Sequence, residues 1–218
     1  INSGLTQVSV LSQYRSDSIE HHLDGDWWRS AGGAACDVRV LRAAAPGRYH
    51  GTADAVHQHL GRLRAQGIRH VVVLAGDHVC MMDLRVLLQA HHAGGAEITV
   101  ASVEVPLADA GAFGVIRTDA FGRVIDFEEK PTRPLPVPGH DGFVLASMGI
   151  YAAGLDAMAE LLARDAEDPA SCHDFGSDVL PRAVREGRLA AHDFSHSCVR
   201  RNGQAPRSEE HTSELQSR

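Results

Sequence analysis

The chain has 218 residues, of which 44% are hydrophobic, so it is long enough to bury one sizeable core. Its net charge is -7, and its basic residues are scattered singly along the chain, which argues against a nucleic-acid or anionic-membrane surface. No apolar run approaches the ~20 residues that span a bilayer, and the first residues lack the pattern of a secretion signal. We therefore expect one cytoplasmic domain with neither nucleic acid nor membrane as its partner.

Strand patterns and helix patterns alternate along the chain. In chain order, the predicted elements are a strand over 6–11, a helix over 16–23, a strand over 38–41, a helix over 52–67, a strand over 71–75, a helix over 83–94, a strand over 97–105, a hairpin with arms at 114–117 and 124–130, a strand over 144–152, and helices over 155–162 and 177–185. Thr52 is the predicted N-cap of its helix. This alternation predicts an α/β fold with a mixed, mainly parallel sheet sandwiched by helices.

The first chemically informative pattern lies where the strand over 71–75 runs into Gly76 and Asp77. Five successive apolar residues, mostly β-branched, predict a strand covered on both faces. Ligands of such sheets lie beyond the carboxyl ends of the strands, where a carboxylate behind a glycine is well located to hold a divalent metal. The same pattern also fits an acid that only caps the following helix.

A second pattern lies at the end of the predicted hairpin, where Glu129 and Lys130 precede Pro131. A lysine at a strand end that proline terminates is suited to a phosphate, because its ammonium is a point charge with three donors. A solvated, salt-bridged strand end explains this pattern as well. Residues 49–55 bring small side chains to a helix N-terminus, where free amides attract anions, although ordinary capping is an equal explanation.

Six motifs are more informative together than singly. In order they are Tyr49-x-Gly-Thr-Ala-Asp-Ala, Leu74-Ala-Gly-Asp-His, Ala112-Phe-Gly-Val, Phe127-Glu-Glu-Lys-Pro, Ala146-Ser-Met-Gly-Ile-Tyr and His173-Asp-Phe-Gly. This series closely resembles the bacterial ADP-glucose pyrophosphorylases, from the first residue to the region of Cys198. The resemblance implies a Rossmann-like nucleotidyltransferase domain that makes ADP-glucose and pyrophosphate from ATP and glucose 1-phosphate. It further implies glycogen biosynthesis, allosteric control and a homotetrameric parent protein.

The resemblance also implies a role for each motif. The residues that would contact glucose 1-phosphate are Tyr49, Gly114, Glu129, Lys130 and Ser147. The residues that would form part of the adenine-nucleotide wall are Gly51, Thr52, Ala53 and Asp54. Asp77 would hold Mg²⁺ and act in catalysis together with Lys130, while His173 and Asp174 would lie near the sugar pocket.

Some features of the family have no counterpart in this sequence. The family's glycine-rich N-terminal loop, a second metal-holding acid and the C-terminal β-helix domain are missing, and Arg48, Cys80 and Met81 replace other residues. We therefore expect residues 1–206 to form a partial nucleotidyltransferase domain, truncated at both ends and inactive alone. Residues 207–218 resemble a translated sequencing adapter and are expected to be a disordered, artefactual tail. The alternatives are a UTP- or dTTP-dependent glucose-1-phosphate enzyme and a non-catalytic regulatory or sugar-phosphate-binding subunit.

Overall fold

The computed structural model describes residue 3 and residues 5–14, 16–24, 36–44, 48–76 and 80–199. Within these ranges the strands are β1 (Gln7–Ser12), β2 (Asp37–Arg42), β3 (His70–Leu74), β4 (Ile98–Pro106), β5 (Gly114–Thr118), β6 (Val124–Glu129), β7 (Phe143–Gly154) and β8 (Leu189–Asp193). The α-helices of the same ranges are α1 (Ser16–Asp24), α2 (Thr52–His57), α3 (Leu60–Ala65), α4 (Leu84–Gly94), α5 (Leu155–Ala166) and α6 (Leu180–Arg185). None of these helices is long and apolar enough to cross a membrane.

The main sheet of the described chain has six strands and is organised around β7, its longest strand. β4 pairs with both halves of β7 along one edge, while β3 and β5 pair with separate halves along the other edge. β6 extends the sheet beyond β5, and β8 extends it beyond β4. Four strands, β3, β4, β5 and β8, run in one direction, and β6 and β7 run in the other. The sheet is therefore mixed, and the predicted α/β class with a mixed sheet is confirmed. β1 and β2 form a separate parallel pair.

Helices cover both faces of the main sheet. On one face, Met158 of α5 packs in a cluster with Val100 of β4. On the opposite face, Leu87 of α4 packs in a cluster with Ala101 of β4 and Ile150 of β7. All five side chains are completely buried, and successive residues of β4 point to opposite faces as a strand requires. Each large side chain buried in this way stabilises the fold by about 1.5–3 kcal/mol.

The strand predicted to be covered on both faces is β3. Val71 and Val73 pack against one core cluster and Val72 packs against the other, so both faces do contact the core. The coverage is only partial, because these valines are half-buried and Leu74 is 47% exposed. Within the described ranges β3 has a strand neighbour, β7, on one edge.

The helix predicted over 52–67 is instead two short helices, α2 and α3, which are separated at Gln58 and His59. Both side chains at the break make contacts outside the helix. The Gln58 amide donates to the Arg48 carbonyl at 3.2 Å, and His59 Nε2 lies 2.7 Å from the Tyr49 hydroxyl. These contacts override the local helix propensity.

Two further differences from the sequence prediction concern local signals. The predicted N-cap is wrong: Gly51 is the N-cap of α2, and Thr52 is its first helical residue. β8 is a strand that the pattern does not predict. Its sequence, LAAHD, contains no Val, Ile, Thr, Phe, Tyr or Trp, which are the residues enriched in strands, and its neighbour β4 lies far earlier in the chain.

Candidate functional site

A row of residues crosses three neighbouring strands of the main sheet. Gly114 of β5 pairs with Glu129 of β6, and Val115 pairs with Ala146 of β7. If the pairing of β5 with β7 continues by one residue, Gly114 lies opposite Ser147. Directly opposite residues of antiparallel strands point to the same face, so Glu129 and Ser147 flank Gly114 on one face of the sheet.

The absence of a side chain at Gly114 leaves room for the Glu129 carboxylate. A Cβ at position 114 would lie 2.9 Å from Glu129 Oε2 and 2.5 Å from Phe127 Cζ. Gly176 packs against the same carboxylate, because a Cβ there would lie 2.6 Å from Glu129 Oε2. Two glycines from distant parts of the chain therefore form a slot for one carboxylate, and a methyl group at either position would displace it.

The charges around this slot interact with one another. Partial burial raises the pKa of Glu129, the adjacent Lys130 ammonium opposes that shift, and the Asp174 carboxylate adds to it. Glu129, Lys130 and Asp174 therefore lie within electrostatic range of each other. A carboxylate can accept hydrogen bonds from ligand hydroxyls, and the ammonium can pair with an anionic group.

Lys130 is the only lysine of the sequence, and the other 20 of its 21 Lys and Arg residues are arginines. Its backbone is left-handed, with φ of 48°, and its amide donates to the Phe113 carbonyl at 3.0 Å. His173, with φ of 57°, is the other non-glycine residue of the described ranges in this conformation. Strained backbone of this kind clusters at functional sites. The exposed Lys130 ammonium forms no salt bridge with any described residue, so it is available to an anion.

Tyr151 and Phe175 form an aromatic wall beside these polar groups. Their ring centroids are 5.2 Å apart, and both side chains are buried. Burial raises the pKa of Tyr151 to about 12, opposed by the Ser147 hydroxyl and reinforced by the Asp174 and Glu129 carboxylates. The phenol is therefore protonated at neutral pH and can donate a hydrogen bond. The sequence prediction assigns no role to either residue, although Tyr151 ends the motif that begins at Ala146.

The segment at the start of α2 is joined directly to the segment that carries Asp174. The Ala53 amide donates to the His173 carbonyl at 2.8 Å, and the Thr52 hydroxyl donates to Asp174 Oδ2 at 2.8 Å. The His173 backbone lies so close to Gly51 that a Cβ there would be 2.2 Å from the carbonyl oxygen. Two motifs that are far apart in sequence thus form one structural unit.

Tyr49 and Asp54 are engaged inside the protein. The buried Tyr49 hydroxyl donates to the Leu41 carbonyl at 3.2 Å, and burial raises the pKa of Tyr49, with a further contribution from Asp54. Asp54 Oδ2 accepts a hydrogen bond from the His50 amide at 2.8 Å. Both side chains therefore fix the conformation of the segment before α2.

Asp77 is one of residues 77–79, which lie outside the described ranges. The chain before it is fixed to β7, because the Ala75 amide donates to the Gly149 carbonyl at 3.1 Å. Gly149 is two positions from Ser147. Among the described residues, no group of three or more His, Cys, Asp or Glu side chains is arranged to hold a metal. The magnesium site predicted at Asp77 stays a prediction.

The predicted site residues fall into two groups. Those around the Glu129 slot are Gly114, Glu129, Lys130, Ser147 and Asp174. Those in or against the start of α2 are Tyr49, Gly51, Thr52, Ala53, Asp54 and His173. The Thr52–Asp174 hydrogen bond connects the two groups. Their roles toward ligands stay predictions.

Comparison with known proteins identifies relatives of the whole described fold. The family model described as nucleotidyl transferase matches residues 1–197. A glucose-1-phosphate adenylyltransferase of Paramagnetospirillum magneticum is 43% identical over 207 residues, which are 93% of this chain and 48% of the relative. A protein of the same name from Rhizobium meliloti is 41% identical over 204 residues, which are 92% of this chain and 49% of the relative. The chain therefore spans about half the length of the curated relatives that it matches.

Proposed function

The chain belongs to the nucleotidyl transferase family, and on that premise we propose that its protein transfers an adenylyl group from ATP to glucose 1-phosphate, forming ADP-glucose and pyrophosphate. The name of the relatives, glucose-1-phosphate adenylyltransferase, supports this choice of substrates. The observation that carries the proposal is the grouping of Glu129, Lys130, Ser147 and Asp174 around the slot between Gly114 and Gly176. This set combines hydrogen-bonding groups for a sugar with a cation for its phosphate.

In the proposed reaction, an oxygen of glucose 1-phosphate attacks the α-phosphorus of ATP. The bond between the α-phosphorus and the bridging oxygen to the β-phosphorus breaks, and pyrophosphate leaves. Both reactants are polyanions, so their approach costs Coulomb energy. Lys130 reduces that cost by pairing with the sugar phosphate, and catalysis consists mainly of placement and charge neutralisation.

The sugar is held by the polar groups around the slot. Glu129 accepts hydrogen bonds from glucose hydroxyls, Ser147 and the protonated Tyr151 phenol donate to sugar oxygens, and the Gly114 backbone approaches the sugar closely. The buried rings of Tyr151 and Phe175 pack against each other and support these polar groups. Tyr49 acts indirectly by holding the segment before α2, because its hydroxyl is already bonded to the Leu41 carbonyl.

The nucleotide lies against residues 51–54. Gly51 lets the His173 backbone pack closely against this segment, while Thr52, Ala53 and Asp54 hold the segment through their own hydrogen bonds. Asp77, which follows the strand end at Leu74, is the proposed ligand of Mg²⁺. When bound, Mg²⁺ neutralises phosphate charge, and the donor type fits, since this ion favours carboxylate and phosphate oxygens.

The wider properties of the proposed enzyme follow from the family resemblance alone. They are a cytoplasmic location, a homotetrameric assembly, allosteric control and a place in glycogen biosynthesis. We further propose that residues 1–206 are part of the catalytic domain and that residues 207–218 take no part in it. The isolated chain is then expected to bind glucose 1-phosphate without turnover.

The test is a chimera in which residues 1–199 replace the matching segment of the Paramagnetospirillum magneticum relative. Pyrophosphate release should require glucose 1-phosphate and should be at least about tenfold faster with ATP than with UTP or dTTP. Lys130→Gln should abolish it, whereas Arg133→Gln, which removes a nearby charge of the same sign, should not. Faster turnover with UTP or dTTP would reject the adenylyl assignment. A folded chimera that binds both substrates without turnover would favour a regulatory subunit.

A further inference from the structure

Asp165 is a buried carboxylate that no motif of the sequence singles out. It lies in the last turn of α5 and is 2% exposed. Its Oδ1 accepts a hydrogen bond from the Ser171 hydroxyl at 2.7 Å, and its Oδ2 lies 3.0 Å from His173 Nδ1. Burying a carboxylate carries a large desolvation cost, and buried pairs of this type contribute little net stability. A role in fixing local geometry accounts better for a charge at this position.

The hydrogen bonds of Asp165 restrain a short, strained loop. The His173 amide donates to Ser171 Oγ at 2.9 Å, so the side chain and the backbone of His173 are both held. The His173 backbone has φ of 57°, in the left-handed region that non-glycine residues seldom adopt. Such a conformation persists only where the surrounding contacts impose it. Asp165 and Ser171 supply those contacts.

The restrained loop continues directly into the candidate site. The His173 carbonyl accepts the Ala53 amide and packs against Gly51, which fixes the segment proposed to bind the nucleotide. The next residue, Asp174, accepts the Thr52 hydroxyl and influences the Glu129 carboxylate. A shift of His173 would therefore move both halves of the site.

Other buried histidine pairs of the described chain do not lead to the site. His91 Nδ1 lies 2.9 Å from the Thr99 hydroxyl, and His192 Nε2 lies 3.0 Å from the Ser197 hydroxyl. Neither pair contains a carboxylate or contacts the candidate site residues. The Thr99 pair consequently offers a matched control, because Thr99→Val removes a buried hydrogen bond to a histidine while it leaves the site untouched.

We propose that Asp165 is a positioning residue, which acts through His173 to hold residues 51–53 and Asp174 in their ligand-binding arrangement. It touches neither ligand itself. The inference rests on the proposed function, since the ligands concerned are ATP and glucose 1-phosphate. Misplacement of binding groups by a fraction of an ångström is enough to weaken binding and slow catalysis.

The first test needs no ligand and uses the 218-residue chain. Hydrogen exchange of the Ala53 amide, which donates to the His173 carbonyl, should become at least about tenfold faster in Asp165→Ala. Thr99→Val should leave that amide protected. Far-ultraviolet circular dichroism checks the fold of each variant. Unchanged protection of Ala53 in a folded Asp165→Ala protein would overturn the proposal.

The conservative variant Asp165→Asn provides a spectroscopic readout and keeps the test valid if Asp165→Ala does not fold. A carboxylate only accepts hydrogen bonds, so His173 must carry its proton on Nδ1 in the unmodified chain. The Asp165→Asn amide can instead donate to Nδ1 and move the proton to Nε2. Long-range ¹H–¹⁵N NMR of the histidine rings should show this change for His173 alone. An Nδ1 of His173 that lacks a proton in the unmodified chain would contradict the proposal.

The second test is titration calorimetry with ATP and with glucose 1-phosphate. Asp165→Ala should weaken the binding of both by about tenfold, comparable to the loss of one buried hydrogen bond, and Asp165→Asn by less. Thr99→Val should bind as the unmodified chain does. Equal affinities in a folded Asp165→Ala protein would overturn the positioning role and leave the proposed function standing. If the unmodified chain binds neither ligand, the proposed function fails. The hydrogen-exchange and NMR experiments need no ligand, so they still test whether Asp165 positions His173.

Discussion

The Thr52 hydroxyl donates a hydrogen bond to Asp174 Oδ2 at 2.8 Å across 122 residues of sequence. The Thr52 hydroxyl oxygen in turn accepts a hydrogen bond from the Phe175 amide at 3.0 Å. This hydroxyl therefore connects the first turn of α2 to the segment that packs against Glu129. The proposed nucleotide and sugar regions are consequently one cooperative unit.

Removing that hydroxyl should destabilise the protein. Thr52→Val keeps the shape of the side chain but leaves Asp174 Oδ2 and the Phe175 amide without their partner, and we expect a loss of about 1 kcal/mol in the free energy of unfolding. Urea denaturation measures this change. Thr118→Val in β5 is the matched control, because the Thr118 hydroxyl has no hydrogen bond to any described residue. Equal losses in the two variants would show that the Thr52–Asp174 bond adds no stability.

A methyl group at Gly51 should separate the two segments. Because its Cβ would lie 2.2 Å from the His173 carbonyl oxygen, Gly51→Ala must push His173 away and break the Ala53–His173 hydrogen bond. We expect a loss of at least about 2 kcal/mol in the free energy of unfolding.

The control for this substitution is Gly61→Ala in α3, where a Cβ meets nothing within 4 Å. Alanine favours a helix more than glycine does, so this variant should gain about 0.5–1 kcal/mol. Thermal unfolding of both variants provides the comparison. A Gly51→Ala protein that is as stable as Gly61→Ala would mean that the His173 segment does not pack against residue 51.

Most of the sheet can be predicted from local patterns, since β4 and β7 have the long apolar sequences of buried strands. β8 cannot, because its short sequence has little strand propensity and is ordered by pairing with β4. The break between α2 and α3 is equally hidden. It depends on contacts that Gln58 and His59 make with residues before the helix.

The candidate site is predictable to a similar extent. Motifs in the sequence identify Glu129, Lys130 and Ser147, but they do not indicate that Gly176 packs against the Glu129 carboxylate. Asp165 resembles an exposed helical acid in the sequence, and only its burial and its bond to His173 distinguish it. Long-range contacts of this kind leave no local pattern.

The Glu129 carboxylate should lower stability at neutral pH. Its pKa is raised in the folded state, chiefly by partial burial, so the folded protein binds this proton more readily than the unfolded chain does. Its contribution to stability is therefore fully present below the ordinary pKa of 4.5 and is lost as the pH rises through the raised value. Glu129→Gln should increase Tm at about pH 7.5, and the increase should disappear at about pH 4.

Glu129→Gln should also bind glucose 1-phosphate more weakly. Glu129 would then improve ligand binding while it lowers the stability of the fold. Glu128→Gln, which removes the same charge from the neighbouring position, controls for net charge. Thermal melts across this pH range are the measurement. A Tm increase of the same size in both variants would assign the effect to overall charge and not to the slot.

The central claim is that Lys130 binds the phosphate of glucose 1-phosphate. Because Lys130 is the only lysine, its rate of acetylation can be followed by mass spectrometry of the chain, with the N-terminal amine as an internal reference. At a ligand concentration about ten times Kd, glucose 1-phosphate should slow acetylation of Lys130 about tenfold, and glucose should have little effect. Acetylation of Lys130 at an unchanged rate in saturating glucose 1-phosphate would contradict the account.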